Sequence, residues 1–198
     1  MQKLEADKVV LARRKSGGGC VYQDLGNSVF SFINPIDDFA KQDFKTLNNE
    51  VLLKALSTLG VTGEASGRND LTVDGKKVSG SAYKLKLGKK DGSGRRSLHH
   101  GTMLLDLELG ALGKYLNPNK KKLESKGVES VISRVMNLKE AVPSITHGSF
   151  NAALEEAYTQ KWSDKPVNRT VLKESDLRQV PKLMEIYDAS AEWDWRFG

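Results

Sequence analysis

The sequence predicts an α+β fold in which helices pack on a mixed, largely antiparallel sheet. Strand-like segments dominate the first half of the chain, and helical spacing dominates the second half. Asp74-Gly75 stands between two short strand patterns, which is a strong hairpin signal. Hairpins of this kind build antiparallel sheets. The 198 residues, 38% of them hydrophobic, are enough for one large domain with its own core.

The first strands are predicted from continuous apolar runs and the turn residues between them. Val9–Ala12 is expected to be a buried strand that the glycines at 17–19 interrupt. Val21–Gln23 and Val29–Ile33 are expected to form a hairpin around the turn-forming Asp24–Asn27.

The clearest helix is predicted over residues 42–59. Gly60 is a natural terminator for it. Its apolar side chains recur at helical spacing, at Phe44, Leu47, Val51, Leu52, Ala55, Leu56 and Leu59.

A second hairpin is predicted around Asp74-Gly75, between Thr72-Val73 and Lys77-Val78. Its second arm continues through Ser81–Leu87, where apolar and basic residues alternate as in a half-exposed strand. Residues 88–97 form a loop of Gly, Lys, Arg and Ser, and Leu98–Leu107 is expected to be another strand.

Helices are predicted for most of the chain after Leu107. Thr146 can cap one that carries Phe150, Ala153, Leu154, Ala157 and Tyr158. Ser175 can cap another that carries Val180, Leu183, Met184 and Tyr187. Residues 163–170 are expected to be a linker between these helices.

The charge and cysteine content limit the classes of partner and compartment. The formal net charge is +6, and eight basic residues against Asp91 alone lie within 76–96. Such a field favours nucleotides, nucleic acid or an acidic protein, although Lys120–Lys122 is expected to be a solvated surface. Cys20 is the only cysteine, so an internal disulfide is excluded and a reducing compartment is expected. The N-terminus has no signal core, and no apolar run approaches the ~20 residues of a membrane span.

The segment Arg13–Asn27 predicts a pocket for an anionic ligand. Arg13-Arg14 precede three consecutive glycines, Gly17–Gly19. Arginine offers a fixed fork of donors, and glycine lets a ligand approach the backbone N–H groups. Neither a Gly-Lys-Ser/Thr sequence nor a helix follows, which excludes a Walker loop and a dinucleotide fingerprint. A flexible turn is the alternative.

Two polar clusters are further candidates. Asp70, within Gly67–Asp70, can hold a divalent metal or fix a lysine, and Asn69 can donate to an anion; a self-satisfied Asx turn is the alternative. Strand alternation places Lys76 and Lys77 on opposite faces, so one of them can point inward; two solvated lysines are the alternative.

The three histidines predict no metal site. Adjacent residues His99 and His100 lie on opposite strand faces, a poor spacing for two ligands of one metal. One of them can hydrogen-bond a core backbone group. His147 near a helix start is expected to be exposed.

Taken in order, these segments resemble the lipoate–protein ligase family. The resemblance rests on Arg13–Asn27, Gly67–Leu71, Lys77–Ala82 and His99–Leu105, and extends through Tyr115–Pro118 to Trp193–Trp195. It implies the fold shared with biotin protein ligases and class II tRNA synthetase catalytic cores. It also implies an enzyme that joins lipoate to ATP, releases pyrophosphate, and passes the lipoyl group from lipoyl-AMP to a carrier lysine.

The resemblance also implies roles for particular residues. Lys77 matches the essential lysine that touches the lipoyl carbonyl and the phosphate, and Asn69 and Asp70 match polar residues near the phosphates and Mg²⁺. Arg14 and the segment Gly19–Tyr22 match the part of the family that contacts the nucleotide. Val21, Tyr22 and the 78–82 strand are expected to wall the apolar lipoate slot. The full set of implied binding positions is Arg14, Gly17, Gly18, Gly19, Cys20, Val21, Tyr22, Asn69, Asp70, Lys77, Ser79, Gly80, Ala82 and His100.

The resemblance covers nearly all of this chain but only part of a full ligase. Residues 1–162 are expected to be the core of the catalytic domain without its N-terminal part. Residues 163–198 are expected to be a linker and terminal helix without the accessory C-terminal domain.

The implied partners are lipoyl domains of 2-oxoacid dehydrogenase complexes and the glycine-cleavage H protein. Nucleic acid and membranes are not expected as partners, and a monomer is expected. The implied compartment is the cytoplasm of a bacterium or the mitochondrion of a eukaryote. A lipoyltransferase without ATP activation and an inactive binding module are the alternative functions.

Overall fold

A five-stranded antiparallel sheet forms the centre of the described structure. The computed structural model describes residues 2–36, 43–89, 93–116, 135–162 and 167–198. Within them, the order of strands across the sheet is β1-β5-β4-β3-β2. The strands are β1 Asn27–Pro35, β2 Glu64–Ser66, β3 Asp70–Val73, β4 Lys76–Lys86 and β5 Arg96–Leu104. The predicted α+β class is confirmed.

Eight helices accompany the sheet in the described residues, and the chain divides into two units. The larger unit, residues 16–163, holds α2 Phe44–Thr58, α3 Leu109–Tyr115, α4 Leu138–Ala141 and α5 His147–Lys161. The smaller unit, residues 1–15 and 164–198, holds α1 Gln2–Ala6, α6 Glu174–Arg178, α7 Pro181–Ala191 and α8 Trp193–Phe197.

The core of the larger unit lies between one face of the sheet and the helices α2 and α5. Alternate residues of β1 point toward it, so Phe30 and Phe32 are buried while Val29 and Ile33 are exposed. The other fully buried side chains of this cluster come from both helices and the central strands, and include Leu52, Leu56, Val78, Met103 and Phe150. One face of the sheet therefore packs against helices, and on the opposite face the β1 side chains are exposed in the described structure.

The predicted stop of the first helix at Gly60 and the predicted cap of the second at Thr146 are confirmed. α2 occupies the predicted 42–59 region, of which residue 42 lies outside the described residues. The Asp43 carboxylate caps it by accepting from Thr46 N at 3.1 Å, and Gly60 follows with a φ of +81°. Thr146 caps α5 by accepting from Ser149 N at 3.1 Å.

The predicted Val9–Ala12 strand is wrong. These residues have no regular secondary structure, and the Val10 side chain is 84% exposed. They belong to the smaller unit, whose described part contains helices but no strand that could pair with them. An apolar run without a neighbouring strand gains no sheet hydrogen bonds.

The predicted hairpin of Val21–Gln23 with Val29–Ile33 is also wrong, although its turn is present. Asn27 N donates to Asp24 O at 3.2 Å, but residues 21–23 form no strand. β1 pairs instead with β5 along its whole length, from Asn27 opposite Leu104 to Pro35 opposite Arg96. β1 therefore pairs with a strand distant in the sequence, and not with the adjacent Val21–Gln23 segment that local spacing predicted.

The predicted single helix capped by Ser175 is two helices. α6 begins at Glu174 with Lys173 as its N-cap, and α7 begins at Pro181. Proline disfavours the helical conformation of the residue before it, and Val180 accordingly has a ψ of 100°. The chain thus breaks at Val180 and starts a new helix at Pro181, where the missing N–H carries no cost.

Several predicted features fall partly or wholly outside the described residues. They are the Lys120–Lys122 run, the Asn117-Pro118 end of the fifth matching segment, residues 90–92 of the predicted loop and residues 163–166 of the predicted linker. The predicted strand Leu98–Leu107 is β5, which begins at Arg96 and ends at Leu104. No helix in the described ranges is both long and apolar enough to span a membrane.

Candidate active site

The site is built around the hairpin that joins β3 to β4. Asp74 and Gly75 have φ angles of +49° and +69°, which are typical of a tight two-residue turn. Beyond the turn the pairing register between β3 and β4 shifts by one residue. Thr72 pairs with Lys77, but the preceding Leu71 pairs with Ser79. The extra residue on β4 is Val78, so the strand contains a β-bulge.

The bulge places Lys77 on the same face of the sheet as Gly80. A Cβ added to Gly80 would lie 3.0 Å from Lys77 Cε and 3.1 Å from Lys77 Nζ, so the lysine side chain lies over this glycine. Regular alternation would put residues three apart on opposite faces, and the bulge removes that difference. Val78 meanwhile is fully buried in the core.

Lys77 is held in this position by an ion pair and by its own backbone. Its Nζ lies 2.8 Å from Asp70 Oδ1, and the two side chains are 25% and 30% exposed. Its carbonyl accepts from Met136 N at 3.0 Å. Lys76, in contrast, is exposed on the surface. The prediction that one of the two lysines points inward is confirmed for Lys77.

Asn69 fixes the segment before β3 onto β4. Its side-chain amide donates to the Ser81 carbonyl at 2.7 Å, and its own carbonyl accepts from Ser81 N at 2.8 Å and from Ser81 Oγ at 3.1 Å. Because Asp70 follows directly, this clamp also fixes the start of the strand that carries the carboxylate. Sequence reasoning offered an anion contact or an Asx turn for Asn69 and missed its bonds to Ser81.

The face that carries Lys77 continues along the two central strands. Ala82 pairs with His100, and Gly80 pairs with Thr102, so each pair shares a face. His100 and Thr102 are half-buried. Thr102 was not among the predicted residues, although strand alternation from His100 would have indicated it.

Two predicted contacts of the 78–82 strand do not have accessible side chains. Ser79 is 1% exposed and Val78 is fully buried, so neither side chain can touch a ligand on the open face. The small residues Gly80 and Ala82 are the members of this strand that leave room there. The Val78 side chain therefore takes no part in the apolar wall expected from this strand, since the bulge turns it into the core, and the wall stays a prediction for the rest of the strand.

His99 and His100 lie on opposite faces, as predicted. His99 is fully buried and its ring stacks on Tyr83 with centroids 4.3 Å apart. Neither of its ring nitrogens has a hydrogen-bond partner among the described residues, so His99 is not a histidine that bonds a core backbone group. Burial is the main reason that the pKa of His99 falls to about 4, and the neighbouring His100 and Lys45 lower it further.

The glycine-rich segment is an exposed stretch of irregular backbone ahead of β1. Gly18 has a φ of +102°. Apart from the adjoining residues, no atom of the described structure lies within 4 Å of where a Cβ would stand on Gly17 or Gly19. Cys20 is exposed, and Val21 is 50% exposed. This backbone is open to a ligand, while its role as the nucleotide loop stays a prediction.

The end of this segment is anchored to the rest of the larger unit. The Tyr22 ring stacks on Tyr115 with centroids 5.5 Å apart. Desolvation is the main cause that raises the pKa of Tyr22, and the negative charge of Asp24 raises it further. Asp24 accepts from Gly26 N at 2.8 Å and from Glu108 N at 3.0 Å. The segment is therefore fixed at its C-terminal end, at Tyr22 and Asp24, while its glycines are exposed.

His147 strengthens this anchor. It is exposed, as predicted, but its Nε2 donates to the Leu25 carbonyl at 2.6 Å. Its Nδ1 lies 2.6 Å from Ser28 Oγ. Since a carbonyl can only accept, Nε2 carries a proton.

Arg14 belongs to the smaller unit and is exposed there. In that unit Trp195 Nε1 donates to the Arg13 carbonyl at 2.7 Å, and the Lys15 ammonium lies 5.5 Å from the centre of the Trp195 ring. The N-terminal arginine segment thus packs with the tryptophan segment at the other end of the chain. The contact of Arg14 with a nucleotide stays a prediction.

A single carboxylate is the metal-ligand candidate near Lys77. In the described ranges, no group of three or more His, Cys, Asp or Glu side chains is arranged to hold a metal ion. Mg²⁺ is commonly bound through one or two carboxylates together with substrate phosphates. Asp70 is consistent with that kind of site.

Comparison with known proteins identifies the family. Residues 1–159 match the model of the lipoyl protein ligase A/B catalytic domain. A lipoate-protein ligase A from Psychrobacter cryohalolentis is 42% identical over 202 residues, covering 100% of this chain and 56% of the relative. The chain thus spans about half the length of this curated relative.

Solved structures give the same result for the fold. P. falciparum LipL1, solved in complex with lipoate, superposes with a TM-score of 0.78 at 33% identity, over 100% of this chain and 54% of that one. A bipartite lipoate protein ligase from Thermoplasma acidophilum, studied with its E2 lipoyl domain, superposes with a TM-score of 0.77 at 24% identity, over 98% and 73% of the chains. The sequence match and the first of these superpositions place the chain in the lipoyl protein ligase A/B family.

Proposed function

We propose that this chain activates lipoate with ATP to form lipoyl-AMP and transfers the lipoyl group to a specific lysine of a lipoyl-carrier domain. The observation that carries the proposal is the Lys77 ammonium, held by Asp70 over the side-chain-free surface of Gly80. The 42% identical lipoate-protein ligase A and the lipoate complex of LipL1 support lipoate as the substrate.

In the first step a lipoate carboxylate oxygen attacks the α-phosphorus of ATP. A new P–O bond forms, the bond between the α- and β-phosphates breaks, and pyrophosphate leaves. Two anions must approach each other, and negative charge builds up on the α-phosphate oxygens. Lys77 offsets both effects, because a fixed ammonium in a partly dry site stabilises developing charge more than water does.

In the second step the amine of the carrier lysine attacks the acyl carbonyl of lipoyl-AMP. The new C–N bond forms, AMP leaves, and the attacking nitrogen loses one proton. Asp70 is the acceptor beside Lys77 and is proposed to take that proton. The carrier amine must arrive neutral for this attack.

The nucleotide is proposed to bind the glycine-rich segment. The backbone amides of Gly17–Tyr22 and the guanidinium of Arg14 would hold the phosphates and the adenosine, since both offer donors for an anion. The exposure of Gly17, Gly18, Gly19 and Cys20 supports this assignment. Holding both substrates in line supplies much of the rate enhancement by making the attack effectively unimolecular.

The lipoyl chain is proposed to lie along the open face of the central strands. Gly80 and Ala82 are the small residues on this face of β4, and His100 lies directly opposite Ala82. Val21 and Tyr22 are proposed as its further apolar wall. The half-buried Thr102 adds one hydroxyl to the same face.

Mg²⁺ is proposed to bind beside the phosphates through Asp70. Asp70 is the first residue of β3, and the hydrogen bonds between Asn69 and Ser81 fix its backbone. Its carboxylate is a hard oxygen ligand of the kind that this ion prefers. When bound, the ion neutralises charge on the leaving pyrophosphate.

The proposed protein partners are lipoyl domains of 2-oxoacid dehydrogenase complexes and the glycine-cleavage H protein. The proposed active form is a monomer, in the cytoplasm of a bacterium or in a mitochondrion. These assignments rest on the family and on the carrier lysine that the second step requires.

Lipoate-dependent exchange between pyrophosphate and ATP tests the first step. We expect exchange that requires lipoate, together with lipoyl-AMP as a detectable product. A folded chain that gives neither would contradict the proposal. Lipoyl transfer from added lipoyl-AMP, without exchange, would instead identify a lipoyltransferase, and the absence of both would identify a binding module.

The Gly80→Ala substitution should lower exchange by about tenfold to 100-fold without destabilising the fold. The new methyl group would lie 3.0–3.1 Å from the end of Lys77, so the flexible side chain moves while the backbone stays. Alanine also costs less conformational entropy than glycine in a strand. Exchange rates and thermal unfolding of the variant measure the two effects.

Gly113→Ala is the matched control, because in the described part of the chain no atom outside the helix's own backbone lies within 4 Å of its added Cβ in α3. It should leave exchange unchanged. Equal losses in the two variants, or unaltered exchange in Gly80→Ala, would contradict the placement of Lys77 over Gly80.

A further inference from the structure

A strongly basic surface lies at the far end of the β4–β5 hairpin. Between Lys76 and Leu105 the sequence contains one acidic residue, Asp91. We call the described basic residues here the basic hairpin end: Lys84, Lys86, Lys89, Arg95 and Arg96. Four of these five are exposed, and Arg95 is half-buried. This surface has no part in the activation chemistry described above.

Two of these charges oppose each other directly. Lys86 and Arg96 are Cα partners in the β4–β5 register. Like charges in directly opposite positions of a strand pair destabilise the pair. An anionic surface that covers both would reverse this effect, and so the arrangement favours an acidic partner.

The basic hairpin end continues the face that carries the active site. By strand alternation beyond the bulge, Gly80, Ala82, Lys84 and Lys86 share one side of β4. Six residues separate Gly80 from Lys86, which is roughly 20 Å along a strand. A domain of 80–100 residues has a radius of gyration of about 13 Å, so one such domain can cover both positions.

The same face also offers an apolar contact. Ile33 on β1 is 68% exposed and pairs with Leu98, which in turn pairs with Lys84. An exposed aliphatic side chain beside basic residues matches a protein interface, where an apolar centre has a charged rim. Nucleic acid would instead favour exposed aromatic side chains for base stacking. Lys84 is the one basic position of the five with an aromatic neighbour in sequence, and that neighbour, Tyr83, is half-buried with its ring stacked on the buried His99.

We propose that the basic hairpin end is the docking surface for an acidic face of the carrier domain, which thereby presents its lysine to Lys77. This inference rests on the proposed function for the identity of the carrier. The docking charges steer the encounter and set the affinity for the carrier, while Lys77 and Asp70 perform the chemistry.

Charge reversal at Lys86 and Arg96 tests the docking surface. The double variant Lys86→Glu/Arg96→Glu should weaken binding of the unmodified carrier domain by about tenfold at low salt, and the salt dependence of its Kd should become shallower. Lipoate-dependent pyrophosphate exchange should equal that of the wild type, since no carrier takes part in it. Titration calorimetry at two salt concentrations measures binding without any requirement for activity.

Lys173→Glu/Lys182→Glu is the control with the same change in net charge, at exposed positions of the smaller unit. Equal weakening in both variants, unaltered binding in the hairpin variant, or no binding by the wild type would overturn the docking proposal. Competition by duplex DNA for the hairpin would overturn it as well, since the surface would then be a nucleic-acid site. If the wild type shows no pyrophosphate exchange but binds the carrier domain, and the hairpin variant binds it more weakly, the proposed activation chemistry is refuted and the docking surface is not.

Discussion

The Lys77→Ala substitution is expected to reduce lipoate-dependent pyrophosphate exchange by about 10²- to 10³-fold, which corresponds to about 3–4 kcal/mol of transition-state stabilisation. The ammonium is the cation fixed over Gly80, where the carboxylate and the α-phosphate would meet. Its removal leaves the Asp70 carboxylate to repel both anions. The loss should appear in kcat as well as in KM, because the charge that Lys77 offsets is greatest in the transition state.

The fold should survive this change. The Lys77–Asp70 pair is 25% and 30% exposed, and ion pairs open to solvent contribute about 0–1 kcal/mol to the free energy of unfolding. Thermal unfolding of the variant should therefore lie within a few degrees of the wild type. A large drop in melting temperature would show that the lost activity reflects unfolding.

Lys76→Ala is the matched control, one residue away on the same strand. Lys76 is exposed at the first position of β4, and its side chain points to the face opposite that of Lys77. Its removal should therefore change exchange by less than about twofold. If Lys76→Ala abolishes exchange while Lys77→Ala retains it, the placement of the two lysines is wrong. Comparing adjacent lysines removes differences in charge and composition between the variants.

The β3–β4 hairpin was predictable because its information is local. Asp74-Gly75 is a turn sequence whose two residues need positive φ angles, and the structure gives them +49° and +69°. Alternation on the strand that follows separates Lys76 from Lys77 without any knowledge of the rest of the chain. The same holds for α2 and α5, whose caps and apolar spacing lie within a few residues of their ends.

The bulge at Val78 and the pairing of β1 with β5 were not predictable in this way. A bulge depends on how two strands meet, and Val78 has no side-chain property that distinguishes it from a regular strand residue. β1 and β5 lie about 70 residues apart in the sequence, so local spacing gave β1 the wrong partner. The site depends on both features, because the bulge places Lys77 beside Gly80 and β5 carries His100.

Asn69 shows a different limit of sequence reasoning. A polar residue beside Asp70 in a loop can serve a ligand, its own turn or a neighbouring strand. Its bonds to Ser81 could be found only from the fold, since the two residues are 12 positions apart.

Acidification should destabilise the larger unit through His99. The imidazole is fully buried, and its folded-state pKa lies near 4 against 6.5 in an unfolded chain. Between these values the unfolded chain binds a proton that the folded chain does not, so the free energy of unfolding falls as the pH falls from about 6.5 to about 4. This difference between the folded-state and unfolded-state pKa lowers the free energy of unfolding by about 3 kcal/mol between pH 7 and pH 4.

His99→Phe should remove this part of the pH dependence. Phenylalanine keeps an aromatic ring against Tyr83, Phe30 and Phe32, and no hydrogen bond is lost, since neither nitrogen of His99 has a partner among the described residues. We expect the variant to equal or exceed the wild type in stability at pH 7. Denaturant unfolding at several pH values from 7 to 4 should show a growing advantage of the variant over the wild type.

Tyr83→Phe is the matched control for the same ring stack. Desolvation raises the pKa of the Tyr83 phenol further above its usual value near 10, so this group does not titrate between pH 4 and 7. Its replacement should shift stability by a constant amount across the range and leave the wild-type slope in place. A flat difference between His99→Phe and the wild type would mean that water or a partner reaches the imidazole, since only a solvated ring could accept its proton in the folded state near the ordinary pKa.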